Sequence, residues 1–235
     1  MSGILYGVGV GPGDPELMTL KAVRLIREND VIALPGKVPE ETVAYKIAVQ
    51  AVPELENKTL MGIDFPMIRD RELLEEQYRQ NALLLEQVLK SGKNVVFLTL
   101  GDVTVYSTFC YVQTYVRKDG FDVEFISGIP AFCASAAALK QPLVEREEPL
   151  HVYPALYRNG ESIEADIRNI KDRNGTYVLM KSGSGIAAIR EKLKQADMQA
   201  WMLENCGMPD ERIYEGAENF PNEAGYYSTV IIKNK

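Results

Sequence analysis

The chain has 235 residues, 46% of them hydrophobic and 25% charged, enough to bury a sizeable core as one large domain or two small ones. Its formal charge of −7 excludes a protein that binds by neutralising nucleic-acid phosphates, since no run of Lys and Arg offsets the acidic excess. Three scattered cysteines, a single histidine and a start that runs straight into a strand speak against a Cys/His metal centre, a signal peptide and a membrane span; the expected setting is the reducing cytoplasm.

Ile4 to Val10 is apolar and reads as a buried strand ending at a glycine-rich loop. Pro15 and Glu16 open a helix whose apolar positions Leu17, Leu20, Val23 and Ile26 recur about every third residue. The alternation continues with a strand at Val31 to Leu34, a helix over Glu41 to Val52 and a strand near Thr59 to Phe65. An amphipathic helix over Arg71 to Leu89 leads into the strand Asn94 to Leu100, which runs directly into "GDVTVYS". A strand end followed by Gly-Asp and hydroxyl side chains is where an open α/β sheet presents ligand-binding groups.

A helix over Phe109 to Arg117 and the turn Asp119-Gly120 place a division near residue 115, giving domains 1–115 and 116–235. Beyond it the expected elements are a strand at Asp122 to Ile126, a helix over Pro130 to Leu139, a strand at Leu150 to Ala155 and a helix over Ile163 to Ile170. Then come a strand at Thr176 to Lys181, a helix over Ile186 to Ala196, and strands at Gln199 to Glu204, Arg212 to Gly216 and Tyr226 to Lys233. The fold class is α/β in two domains, with no internal repeat or low-complexity tract.

The opening loop, "GVGVGPGDP", fails both registers of a dinucleotide fingerprint, because the third glycine position holds Pro12 or Asp14. Gly36-Lys37 and Gly92-Lys93 lack the following Ser or Thr of a phosphate loop, and Asp14 would repel an anion. The loop therefore suits a cationic or neutral polar ligand that needs close backbone approach at Gly11 and Gly13, or it is simply a tight strand-to-helix turn. Asp102, at a second strand end, either holds an amine or sulfonium, acts as a base, or caps the next helix. His151 between Leu150 and Val152 reads as a packed strand residue, and Met180 as core filler or a pocket wall.

Taken together, "GVGVGPGDPELMTLKAVRLI", "FLTLGDVTVYST", "GIPAFCASAAAL", "LMKS" and "YYSTVII" are similar to the tetrapyrrole methylase family, over nearly the whole chain and in the same order. Tyr106-Ser107-Thr108, "GIPAFCASAA" and "LENCGMPDERIY" most resemble its branch that methylates carbon-20 of precorrin-2 or cobalt-factor II, in cobalamin biosynthesis. The resemblance implies two α/β domains meeting at a cleft that holds S-adenosylmethionine, with S-adenosylhomocysteine as product, a tetrapyrrole substrate, a homodimer, and neither nucleic acid nor membrane as partner.

By the same resemblance Pro12, Gly101, Asp102, Tyr106, Ser107 and Thr108 approach the cosubstrate from the first domain. Phe132, Cys133, Pro154, Ala155, Met180, Tyr227, Ser228 and Thr229 do so from the second. Gly13, Asp14 and Lys37 are expected on the substrate side, with Arg146, Arg158 and Lys181 as further cations for its carboxylates or as solvated surface charges. Val103 stands where the family carries a proline. Asp102 is the expected base for the proton lost from carbon-20, with Tyr106 as polar helper and Asp14 behind it; no metal is required. A different methylase of the pathway, a non-tetrapyrrole methylase, and a ligand-sensing module without chemistry stay open as alternatives.

Overall fold

A computed structural model describes residues 2–66, 68, 70–155, 175–196 and 198–233. The chain divides into two compact units, Met1–Pro130 and Ala131–Lys235.

The first unit alternates strand and helix: β1 (Leu5–Gly9), α1 (Leu20–Glu28), β2 (Val31–Pro35), α2 (Val43–Ala51), β3 (Thr59–Ile63), α3 (Arg71–Lys90), β4 (Val95–Thr99), α4 (Phe109–Lys118) and β5 (Val123–Ile126). The strands form a parallel sheet in the order β3-β2-β4-β1-β5. Because side chains alternate across a strand, β4 feeds two cores. Val96 and Leu98 join Val8, Leu25, Ile26 and Ile47 on one face, while Val95 and Phe97 join Leu85, Leu89, Phe109 and Val112 on the other. Gly7 has no side chain because the Phe109 ring occupies that space: a Cβ there would lie 2.3 Å from it.

Two expectations change in this unit. Pro15–Leu17 is a separate 3-10 turn, and α1 begins only at Leu20, where the Thr19 hydroxyl accepts from the Ala22 N–H at 3.2 Å. The helix is thereby re-phased, so Leu20 is 89% exposed and the buried face is Ala22, Leu25 and Ile26. The division also moves, from 115/116 to 130/131, because β5 adds to the first sheet through Leu5↔Val123 pairing with β1.

The second unit holds α5 (Ala131–Ala138), β6 (Leu150–Pro154), β7 (Thr176–Met180), α6 (Ile186–Ala196), β8 (Gln199–Glu204), β9 (Arg212–Glu215) and β10 (Ser228–Lys233). Its sheet runs β6-β7-β10-β8-β9, parallel at β6/β7 and antiparallel at the other pairings. Ile189 and Leu193 of α6 pack on Leu179, Met202, Val230 and Ile232. His151 stacks on Tyr177 with ring centroids 4.4 Å apart, a packed strand residue. The expected helix over Ile163 to Ile170, like Arg158, lies outside the described residues. The last strand starts at Ser228, leaving Tyr226 and Tyr227 in the loop before it.

Candidate functional site

In the first unit the carboxyl ends of β4, β1 and β5 lie side by side and are joined by backbone contact. Gly11 and Gly101 exchange hydrogen bonds, Gly11 N to Gly101 O at 3.2 Å and Gly101 N to Gly11 O at 2.7 Å. A Cβ on Gly9 would lie 2.5 Å from the Gly101 oxygen and 2.8 Å from the Gly128 nitrogen. One on Gly128 would lie 2.3 Å from that same oxygen. Gly9 and Gly128 thus let three strand-end loops touch main chain to main chain, while Gly11 supplies a φ of +80° for the turn. Pro12 and Gly13 are buried beside this contact, and the Asp14 carboxylate accepts from the Glu16 N–H at 2.8 Å, capping the Pro15–Leu17 turn.

Asp102 locks the arrangement. It is 5% exposed, and both carboxylate oxygens are occupied. Oδ1 accepts from the Thr104 N–H at 2.8 Å and from the Thr104 hydroxyl; Oδ2 accepts from the Ser127 hydroxyl and from the Gly128 N–H at 2.9 Å. Burial pushes the Asp102 pKa up, but the hydrogen bonds from Ser127, Thr104 and Gly128 outweigh it and hold the carboxyl below its ordinary value. A carboxylate with four donors and a lowered pKa is a poor proton acceptor at neutral pH. Through these bonds Asp102 ties the β4 loop to the β5 loop. Val103, where proline was expected, is buried in the core beside Phe109, so packing and the Asp102 bonds stiffen the loop.

Beyond Asp102 the chain presents Tyr106, 40% exposed and at φ 49°, a left-handed conformation that costs a non-glycine residue about 1 kcal/mol. Ser107 faces inward: its Oγ lies 3.0 Å from the Thr99 hydroxyl and accepts from the Phe109 N–H at 3.2 Å, starting α4. Thr108 is half-buried at the cap position of that helix. The Cys110 thiol donates to the Val103 carbonyl at 3.3 Å, and burial followed by the Asp102 charge pushes its pKa up, so it is no ready nucleophile. Lys37, two residues past the end of β2, is in an exposed ion pair with Asp64 at 3.4 Å. Residues 10–19, 100–109 and 127–130 contain no Lys or Arg, and one of them is an ionised aspartate. That electrostatic balance favours a cationic or neutral polar ligand over a phosphate.

In the second unit the register places Pro154, Met180, Thr229 and Leu203 in one row across β6, β7, β10 and β8. Ala155 follows the row and is buried. Ser228 and Thr229 are also buried, and the Ser228 hydroxyl donates back to the Gly225 carbonyl at 2.6 Å, so it organises the loop instead of facing outward. Tyr226 and Tyr227 form an edge-to-face pair at 5.2 Å, and the Lys181 ammonium lies 5.2 Å above the Tyr226 ring. Burial raises both tyrosine pKa values. On α5, which packs against β10, Phe132 is half-buried and Cys133 exposed. Arg146 lies on the exposed stretch before β6.

The structure therefore groups Pro12, Gly101, Asp102 and Tyr106 to Thr108 in one unit, and Pro154, Ala155, Met180 and Tyr227 to Thr229 in the other. Sequence reasoning placed Ser127 and Gly128 at a strand-to-helix turn but assigned neither them nor Thr104 to the site, although these are the donors that define Asp102. Their signal was present: "SGIP" is a strand-to-helix turn like the other two, but nothing local says that its strand neighbours β1. Among the described residues no group of three His, Cys, Asp or Glu side chains could hold a metal ion. What the loops supply is shape, main-chain polar groups and fixed negative charge.

The sequence profile of the tetrapyrrole (corrin/porphyrin) methylases matches residues 4–219. A Methanocaldococcus jannaschii protein described as a "probable cobalt-precorrin-2 C(20)-methyltransferase" is 37% identical over 97% of this chain and 95% of its own. A Sinorhizobium precorrin-2 C(20)-methyltransferase is 31% identical over 99% of this chain and 97% of its own. Among solved structures, uroporphyrin-III C-methyltransferase from Thermus thermophilus, complexed with S-adenosylhomocysteine, superposes with a TM-score of 0.69 at 22% identity, covering 98% of this chain and 97% of that one.

Proposed function

The chain belongs to the tetrapyrrole methylase family, and from that premise we propose that it transfers a methyl group from S-adenosylmethionine to carbon-20 of a precorrin-2 type macrocycle in cobalamin biosynthesis. The observation that carries this reading is similarity along the full chain to relatives bearing that name, at 37% and 31% identity. One of these names specifies cobalt-precorrin-2 and the other precorrin-2. We read the protein as a cytoplasmic homodimer; among the described residues no helix is long and apolar enough to cross a membrane.

The strand-end loops fit such a cosubstrate. They carry no Lys or Arg, they hold Asp102 ionised, and their glycines bring main-chain groups to the surface of the sheet end. When bound, the sulfonium supplies an already activated methyl group, which an in-line carbon nucleophile takes while the S–C bond electrons return to sulfur. The protein's part is alignment and exclusion of water. Asp102 keeps the β4 and β5 loops in one conformation, and Tyr106, held at positive φ and 40% exposed, follows in the β4 loop. The proton released from carbon-20 does not go to Asp102, whose acceptor sites are filled.

The deciding experiment is an anaerobic assay with S-adenosylmethionine, offering cobalt-factor II and metal-free precorrin-2 side by side and following product mass. Gain of one methyl group on either establishes the reaction. No transfer to either, with S-adenosylhomocysteine still bound, keeps the family and sinks the carbon-20 assignment.

Cys133 offers a second check. It is exposed, with its thiol pKa pushed up by partial burial, whereas burial pushes that of Cys206 up to about 11 and leaves it inert. If Cys133 lines the cosubstrate pocket, S-adenosylhomocysteine at ~10 times its Kd leaves about a tenth of the protein free and slows alkylation of Cys133 about tenfold, as read by peptide mass spectrometry. Unchanged labelling takes Cys133 out of the pocket.

A further inference from the structure

The loop before β10 is gripped from several directions. Gly183, just after β7, has no side chain because a Cβ there would lie 2.0 Å from the Gly225 carbonyl and 2.6 Å from that of Ala224. The Ser182 N–H and hydroxyl donate to the Ser228 carbonyl at 3.1 and 3.2 Å, and the Asn205 N–H donates to the Tyr227 carbonyl at 3.0 Å. The remaining tie comes from a buried carboxylate. Glu204, the last residue of β8 and only 7% exposed, accepts the Gly225 N–H on Oε1 at 2.8 Å and the Tyr214 hydroxyl on Oε2 at 3.1 Å. Both described partners are neutral. Sinking a carboxylate at a strand end to receive a main-chain N–H and a phenol is costly, and its return is a fixed direction for the peptide preceding Tyr226.

We propose that Glu204 is a positioning residue for cosubstrate binding: held by Tyr214 of β9, it fixes the Gly225 peptide and through it the exposed pair Tyr226–Tyr227 at the end of the second sheet. The inference rests on the reading of the chain as an S-adenosylmethionine-dependent methylase. Glu204 touches no reacting atom; it acts through the loop. With the acceptor gone, the Gly225 peptide loses the bond that fixes its direction, and the two aromatic rings that follow it lose theirs.

Two substitutions separate geometry from charge. Glu204→Gln keeps a carbonyl oxygen for the Gly225 N–H, and its amide can donate to the Tyr214 oxygen. Glu204→Asp keeps the charge but withdraws the oxygens by about 1.5 Å, out of hydrogen-bond range of Gly225. Calorimetric titration of the full-length protein with S-adenosylhomocysteine should show E204D binding about tenfold more weakly and E204Q within about threefold of wild type. The KM for S-adenosylmethionine should follow the same order while kcat stays within about twofold, at a temperature where melting curves show all three proteins folded. Wild-type-like affinity in E204D, or a larger loss in E204Q than in E204D, overturns the inference. Wild-type protein that binds no S-adenosylhomocysteine overturns the functional reading first, and this inference with it; binding by wild type with no effect in E204D overturns the inference by itself.

Discussion

Asp102→Asn should be nearly as damaging as full truncation, although the two side chains have the same shape. Every acceptor position of the carboxylate is matched to a donor, two of them main-chain N–H groups that cannot reverse. An amide in its place sets an NH2 against the Thr104 N–H or against the Gly128 N–H, whichever way it is turned. A buried donor left facing a donor costs about 1–3 kcal/mol. The loss falls on the loops expected at the cosubstrate, so S-adenosylhomocysteine affinity should fall about tenfold or more, with kcat and KM both impaired. A loss of turnover with binding untouched would instead make Asp102 the base. Acid titration gives an independent reading. The Asp102 pKa is lowered in the folded protein, so the stability it adds is present above the ordinary carboxylate value of about 4 and disappears as pH falls through the lower folded value. The gap in denaturation free energy between wild type and Asp102→Asn should be full at pH 7 and shrink below about pH 4.

Gly128→Ala should have the largest effect on stability. The added methyl group would sit 2.3 Å from the Gly101 carbonyl and 2.8 Å from the Gly9 carbonyl carbon, and those neighbours are backbone. One of three packed strand ends must move, at an expected cost of about 3 kcal/mol or more and a fall in Tm of about 10 °C. Gly120→Ala is the control. It meets nothing within 4 Å, so only its φ of +88° is penalised, at about 1 kcal/mol. A Gly128→Ala protein as stable as that control would show that the three loops can separate freely.

Most strands were legible because they are short apolar runs between turn signals, and the α/β class followed from their alternation with amphipathic helices. The start of α1 was not, because periodicity read through Thr19 misses a cap that resets the helix phase. The division between units was misplaced for a different reason: Asp119-Gly120 looks like a hinge locally, while pairing of β5 with β1 is decided far away in the chain. The same distance hid the nature of Asp102. Its identity and strand-end position could be read from "FLTLGD", but the Ser127 hydroxyl that it accepts from lies 25 residues on. Glu204 escaped entirely, since a glutamate ending a strand is ordinarily a surface residue and its burial depends on a loop twenty-odd residues later.

Strand order in the first unit also bears on how the protein comes off the ribosome. β1 is synthesised first, yet its two neighbours are the last strands of the unit: Leu5 pairs with Val95 on one side and Val123 on the other. At ~5–20 residues per second the first strand waits roughly 5–20 s for its earliest partner. Throughout that interval its apolar run, Leu5 and Val8 included, has no sheet to enter. A nascent chain stalled or cut near residue 115 would hold β4 but not β5, leaving one edge of β1 open for pairing with another chain.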